Sequence, residues 1–186
     1  MLIQQALSPE AILLTPTTVT RNELIAQMCE RLASDLRTAR ATIQRAVLDR
    51  EAVRTTALPN QAAIPHCRLP DLGRFGISLA VLNDTMQWDD DGQKVDVVLM
   101  IAGPAKSVSD HLRILANSSQ LLDSNALRAK LKRAPDARSA HELIAAAEEV
   151  IEQRRSQDGV LREIRNDAGS GRPADALADV ANRFDW

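Results

Sequence analysis

Of the three histidines in this chain, His66, His111 and His141, only His66 stands among groups suited to chemistry. It lies in Ile64-Pro65-His66-Cys67-Arg68-Leu69-Pro70, so two prolines stiffen the chain around one imidazole. A lone histidine is ordinarily a surface residue or a hydrogen-bonded core residue. Here, however, Arg50 and Arg68 offer guanidinium donors, and Thr56 and Asn60 offer neutral ones. An accessible neutral imidazole nitrogen is a nucleophile, and such donors can hold a dianionic phosphoryl group. Phosphoryl transfer is largely dissociative, so positioning and charge stabilisation suffice without a metal. The residues point to phosphorylation of His66. One His-Cys dipeptide lacks the ligand count of a zinc site, and no nucleotide site is visible. Neither metal nor cofactor is expected.

His111 follows Ser109, read as a helix N-cap, and falls in the first turn of that helix. The positive end of a helix disfavours imidazolium, so the ring should stay neutral and able to donate one N–H to a phosphate or to a neighbouring group. A solvent-facing position at the helix start is the competing reading. His141 sits inside a Ser139–Glu142 capping box, where a structural role is expected.

The elements that must position these residues are legible in outline. Thr20 and Glu23 form a capping box, with Val19 and Leu24 as its hydrophobic staple, and Leu24, Ile25, Met28, Leu32 and Leu36 then recur at helical spacing. A second helix from about Ala39 to Glu51 buries Ile43 and Val47 and delivers Arg50 at its end. An irregular stretch, Arg54 to Gln61, leads through Ala62-Ala63-Ile64 to His66, read as a loop residue just past a strand end. Ile77–Leu82 and Val95–Ile101 read as strands, with a turn at Asp91-Gly92 between them. Helices follow from Ser109 to Leu122, from Asn125 to Arg133, and from Ser139 to about Arg155. This pattern predicts an α/β domain of two or three layers. A boundary is placed near residue 156. Residues 1–156 form the domain, and 157–186 form a Gly-Ser-Gly linker and a short amphipathic helix carrying Leu177, Val180, Ala181 and Phe184. That helix could dock on its own domain, on a second copy as a homo-oligomer, or on a partner; the competing reading is a partly disordered terminus.

Composition narrows the function classes. With 23 basic and 25 acidic residues and no basic cluster, nucleic acid is not an expected partner. The longest apolar run, Val97 to Ala102, is too short to cross a bilayer, so no direct membrane insertion is expected. The two cysteines make no disulfide framework and the N-terminus has no signal-peptide pattern, which predicts a reduced, cytoplasmic protein.

Three segments carry a family resemblance: Arg50-Glu51 through Thr56 and Asn60 to Ala63-Ile64-Pro65-His66; Trp88-Asp89 through Asp91-Gly92-Gln93 and Val95–Ile101 to Pro104; and His111-Leu112-Arg113-Ile114-Leu115-Ala116 with Leu121-Leu122. In order and spacing they resemble the fructose–mannitol family of enzyme IIA domains of the bacterial phosphoenolpyruvate-dependent sugar phosphotransferase system. Pro65-His66 followed by Arg68-Leu69-Pro70-Asp71-Leu72 is similar to its nitrogen-regulatory branch. The resemblance implies a mixed sheet covered by helices on both faces. It implies that His66 accepts a phosphoryl group from the phosphohistidine of HPr, with His111 beside it, Arg50 near the site, and Thr56 and Asn60 shaping the loop. The acceptor would be an enzyme IIB domain or a regulatory target. The family loop is glycine-rich where this chain has Ala57, Pro59, Gln61 and Cys67. Side chains of Arg50, Arg68 and Thr56 are therefore expected to take over from backbone N–H groups. The alternative is a non-catalytic regulatory or interaction module derived from an enzyme IIA domain.

Overall fold

The computed structural model describes residues 3–16 and 20–167. The strand β6 (Lys94–Pro104) organises it, because both faces of that strand are covered. Val97, Leu99 and Ile101 enter one hydrophobic core, and Val98, Met100 and Ala102 enter the other. Strand β5 (Gly76–Gln87) pairs antiparallel with β6, and β1 (Leu7–Leu14) runs parallel to β5 on its outer side. Along the opposite edge of β6 lie β3 (Ala62–Ala63) and β4 (His66–Leu69), both parallel to it. The strand β2 (Ala57–Leu58) closes that edge antiparallel to β3.

Helices cover both faces of this six-stranded mixed sheet, as expected. The first core is roofed by α1 (Ile3–Ala6), α4 (Val108–Leu122), α5 (Asn125–Leu131) and α6 (Ala137–Asp167). The second is covered by α2 (Arg21–Leu36) and α3 (Arg40–Val53). Each leucine or isoleucine fully buried in these layers contributes roughly 1.5–3 kcal/mol.

Local chemistry explains most boundaries. The capping box of α2 forms: the Glu23 N–H donates to Thr20 Oγ1 at 3.3 Å, and Glu23 Oε2 accepts from the Thr20 N–H at 3.0 Å. Val19, the other half of the staple, lies outside the described residues. Helix α4 starts two residues earlier than expected, with Ser107 rather than Ser109 at the N-cap. Helix α6 starts at Ala137, where Asp136 Oδ1 accepts the Ser139 N–H at 2.7 Å, so the expected Ser139–Glu142 box is replaced by an aspartate cap. The same helix runs without a break past residue 156 to Asp167, and the periodic segment Leu177–Phe184 lies outside the described residues.

The expected loop position of His66 is corrected. Ala62 opposite Val97 and His66 opposite Ile101 share one register, so β3 and β4 are two pieces of a single line. Pro65 interrupts it because proline has no N–H to give the ladder. Its carbonyl still accepts from the Ile101 N–H at 3.0 Å. The irregular stretch before it also contains a hairpin, β2–β3, made of strands too short to show periodicity.

Candidate functional site

The register places the histidine. Paired residues of parallel strands face the same side, so His66 projects with Ile101 towards the layer that contains α4. His111, in the first turn of α4, meets it there with ring centroids 5.5 Å apart and planes tilted by 58°. The two imidazoles that resemblance alone had joined are thus neighbours across a sheet–helix seam. Arg68 stands two residues beyond His66 on β4 and shares its face.

A hydrogen bond sets the tautomer of His66. Its Nδ1 lies 2.8 Å from the Ile64 carbonyl oxygen, which can only accept. Nδ1 therefore carries the proton, and Nε2 holds the lone pair. The ring is 2 % exposed and His111 is fully buried, so the expected open imidazole and the solvent-facing His111 are both corrected. Burial pushes the pKa of His66 down to about 4, the Ile64 carbonyl partly opposing this and Arg50 and Arg68 adding to it. Burial, then His66, then Arg68 push His111 down to about 3. Both rings are neutral at pH 7, and both feel the same guanidinium.

Thr56 and Asn60 are used differently. The Thr56 hydroxyl donates to Glu51 Oε2 at 2.6 Å, and its N–H to Glu51 Oε1 at 2.9 Å. The Trp88 indole N–H donates to the same Oε1 at 2.7 Å. This buried carboxylate fastens the end of α3, which delivers Arg50, to the start of the loop and to the β5–β6 connection. Asn60 donates through Nδ2 to the Leu122 carbonyl at 3.1 Å and to Asp123 Oδ1 at 2.8 Å, clipping the hairpin turn to the end of α4. Of the four residues replacing family glycines, only Gln61 takes a left-handed backbone, with φ 65°. Ala57, Pro59 and Cys67 need no such freedom, so most of the loop has a geometry that ordinary residues accept.

Three contributors escaped sequence reasoning. Glu51 enters the sequence pattern only beside Arg50, and its signal is an acid on the otherwise apolar face Ile43, Val47. Phe75 packs on His111 with centroids 5.9 Å apart. Gly103 makes room for it: a Cβ there would lie 2.2 Å from Phe75 Cε1. Nothing in the sequence pairs Phe75 with Gly103. His141 Nε2–H donates to the Gln4 carbonyl at 3.2 Å, tying α6 to α1, so its role is structural.

The architecture is that of an α/β domain, a mixed sheet with helices on both faces and a histidine pair where the sheet meets α4. The family model for the phosphoenolpyruvate-dependent sugar phosphotransferase system, EIIA 2, matches residues 5–147, and the chain belongs to that family. Among similar proteins, a nitrogen regulatory protein of Bradyrhizobium diazoefficiens is 29% identical over 146 residues, covering 78% of this chain and 95% of its own. Two solved structures share the fold. Nitrogen regulatory protein IIA-Ntr from Neisseria meningitidis has a TM-score of 0.71 at 18% identity, over 76% of this chain and 98% of that one. Enzyme IIA mannitol of Escherichia coli, solved in complex with phosphorylated enzyme IIB mannitol, has a TM-score of 0.64 at 20% identity, over 75% and 96%. Among the described residues, no helix is long and apolar enough to cross a membrane.

Proposed function

We propose that this chain is a phosphohistidine carrier of the cytoplasm, accepting a phosphoryl group on Nε2 of His66 from an HPr-type protein. The observation that carries the reading is the Nδ1–Ile64 bond, which leaves the nucleophilic pair on Nε2. In the transfer the donor's P–N bond breaks, its electron pair returns to the donor ring, and a bond forms from Nε2 to phosphorus. A ring of low proton affinity is also a good leaving group, which suits a carrier that must pass the group on. Because the ring is buried, docking of the donor must uncover Nε2. Arg50 and Arg68 offset the arriving charge, and His111 donates an N–H to the phosphoryl oxygens. Thr56 and Asn60 act by holding the loop.

The acceptor is an enzyme IIB domain or a regulatory target. The likeness to a nitrogen regulatory protein favours regulation, with phosphorylation changing one face by about two charges. The test is intact mass after incubation with phosphoenolpyruvate, enzyme I and HPr. One acid-labile phosphoryl group is expected on the native chain and on a folded His111→Ala variant at a reduced rate, with none on His66→Ala. A gain retained by His66→Ala would move the acceptor elsewhere. No gain from phosphorylated HPr of the same organism would favour the interaction module.

A further inference from the structure

Helix α6 outruns the layer it roofs. Among the described residues, its last hydrogen bonds to that layer are those of Arg155 to Asn117 and Gln120, and the helix continues from Ser156 to Asp167. That stretch is about 18 Å long at the helical rise. The core-facing positions of α6 are Ala140, Ile144, Glu148 and Ile151. A second stripe runs along its outer side, where Leu143, Ala146, Val150, Gln153 and Gln157 recur at alternating spacings of three and four. All five are exposed or half-buried, and Val150, a large aliphatic side chain, is 46 % exposed. The sequence carries the same register on to Val160 and Ile164. One stripe is enough to roof a sheet, so the outer one is left to meet something else.

The charges beside this stripe are sorted by side. One flank carries Glu142 and Glu149, both exposed. The other carries Arg154 and, across an open groove of about 370 Å³, Lys130 of α5. Arg133 extends that basic flank, and it stands with Lys130 level with Glu142, since all three line one hollow. With Val150 at the first position of a heptad, Glu149 and Arg154 fall at the two flanking positions that pair between parallel helices. Among the described residues, neither has an ion-pair partner in its own chain. A two-fold axis running along α6 lays the acidic flank of one copy on the basic flank of the other. An axis across α6 sets acid against acid and base against base. The sorted charges therefore select a second copy of this chain, lying parallel.

We propose that the outer stripe of α6 is a self-association surface, pairing in parallel with α6 of a second copy. Leu143, Ala146 and Val150 pack against their own counterparts along the two-fold axis, and Gln153 and Gln157 meet theirs as polar pairs that fix the register. Glu149 faces the partner's Arg154, and Glu142 faces the partner's Lys130 and Arg133. Val150, Gln153, Arg154 and Gln157 lie beyond residue 147, where the family match stops, so the surface is built largely on what this chain adds to the family domain. The groove beside the stripe meets α4 at Leu121, about 15 Å along that helix from His111. The histidine seam of each copy thus stays outside the contact.

Sedimentation equilibrium of the full chain tests this and should give twice the 20.4 kDa of one chain. Val150→Glu should give a monomer that still unfolds cooperatively, whereas Val150→Leu should keep the dimer. Arg154→Glu should weaken pairing about five- to tenfold, and adding Glu149→Arg should restore it, because the reversed charges again face each other. Orientation is read from a Gln153→Cys variant treated with copper phenanthroline, the buried Cys29 and Cys67 staying out of the reaction. In the parallel pair the new thiol meets its own counterpart and links. An axis across α6 at Val150 would hold the two about 9 Å apart along the helix, beyond disulfide reach. A monomer at every concentration, or a dimer that Val150→Glu leaves intact, would overturn the proposal. So would a dimer that Gln153→Cys does not link, or a double charge swap that restores nothing.

Discussion

Two neutral imidazoles in one seam tie stability to pH. Their folded pKa values, about 4 for His66 and about 3 for His111, lie below the ordinary 6.5. The unfolded chain therefore binds more protons through the interval between. Stability is complete above pH 6.5 and declines as pH falls towards 4 and then 3. Thermal midpoints measured across that range should show the decline, and a His66→Gln, His111→Gln double variant should flatten it. Glu51 is the other residue on which the site depends. Its carboxylate accepts three hydrogen bonds, and an amide in its place would turn a donor towards Thr56 or Trp88. Glu51→Gln should cost about 2–3 kcal/mol in urea unfolding, the order of leaving buried donors unsatisfied. Phosphorylation should slow as well, because Arg50 and the loop lose their common anchor.

Among the elements, the interrupted strand β3–β4 is the one that matters most. Pro65 breaks the ladder without shifting the register, which keeps His66 aimed at α4 while Cys67 turns to the other core. Gln61, in the hairpin turn before it, pays a conformational penalty of about 1–2 kcal/mol in the left-handed region. Gln61→Gly should raise stability by about 0.5–1 kcal/mol, part of the relief being offset by the freer unfolded chain. The opposite substitution across the seam is harmful. Gly103→Ala drives a methyl group into Phe75 and should destabilise by about 1–3 kcal/mol. It should also lower the phosphorylation rate more than a stability change alone explains, by displacing Phe75 from His111.

Across the whole molecule, contacts distant in sequence hold the histidine layer together. Glu148 of α6, buried, accepts the Ile3 and Gln4 N–H groups at 2.5 and 3.0 Å, capping α1 against the far end of the chain. Arg155 of the same helix donates to Asn117 and Gln120 of α4, at 2.5 and 2.7 Å. Helix α6 thus braces the helix that carries His111. Glu148→Ala should release the α1 amides, cost about 2–3 kcal/mol, and speed hydrogen exchange in β1 more than in β6.

Periodicity exposed α2 and α3, because buried positions on one face of a helix repeat over many turns. The β-branched run exposed β6, because a strand covered on both faces must be apolar throughout. It stopped short at the ends of β5 and missed β1, whose Ser8, Pro9 and Glu10 break the pattern where the strand is bulged and part exposed. His66, Arg50 and Arg68 could be picked out by type and spacing, and the family pattern carried them further. The burial of the ring, its tautomer and its meeting with His111 could not, since each depends on a carbonyl, a register or a helix supplied by packing. The duties of Thr56 and Asn60 were likewise settled by partners five and more than sixty residues away. Local sequence determined which groups were available and which segments would be regular. Only tertiary structure decided which of those groups face one another, because distance and solvent exclusion arise when the layers close.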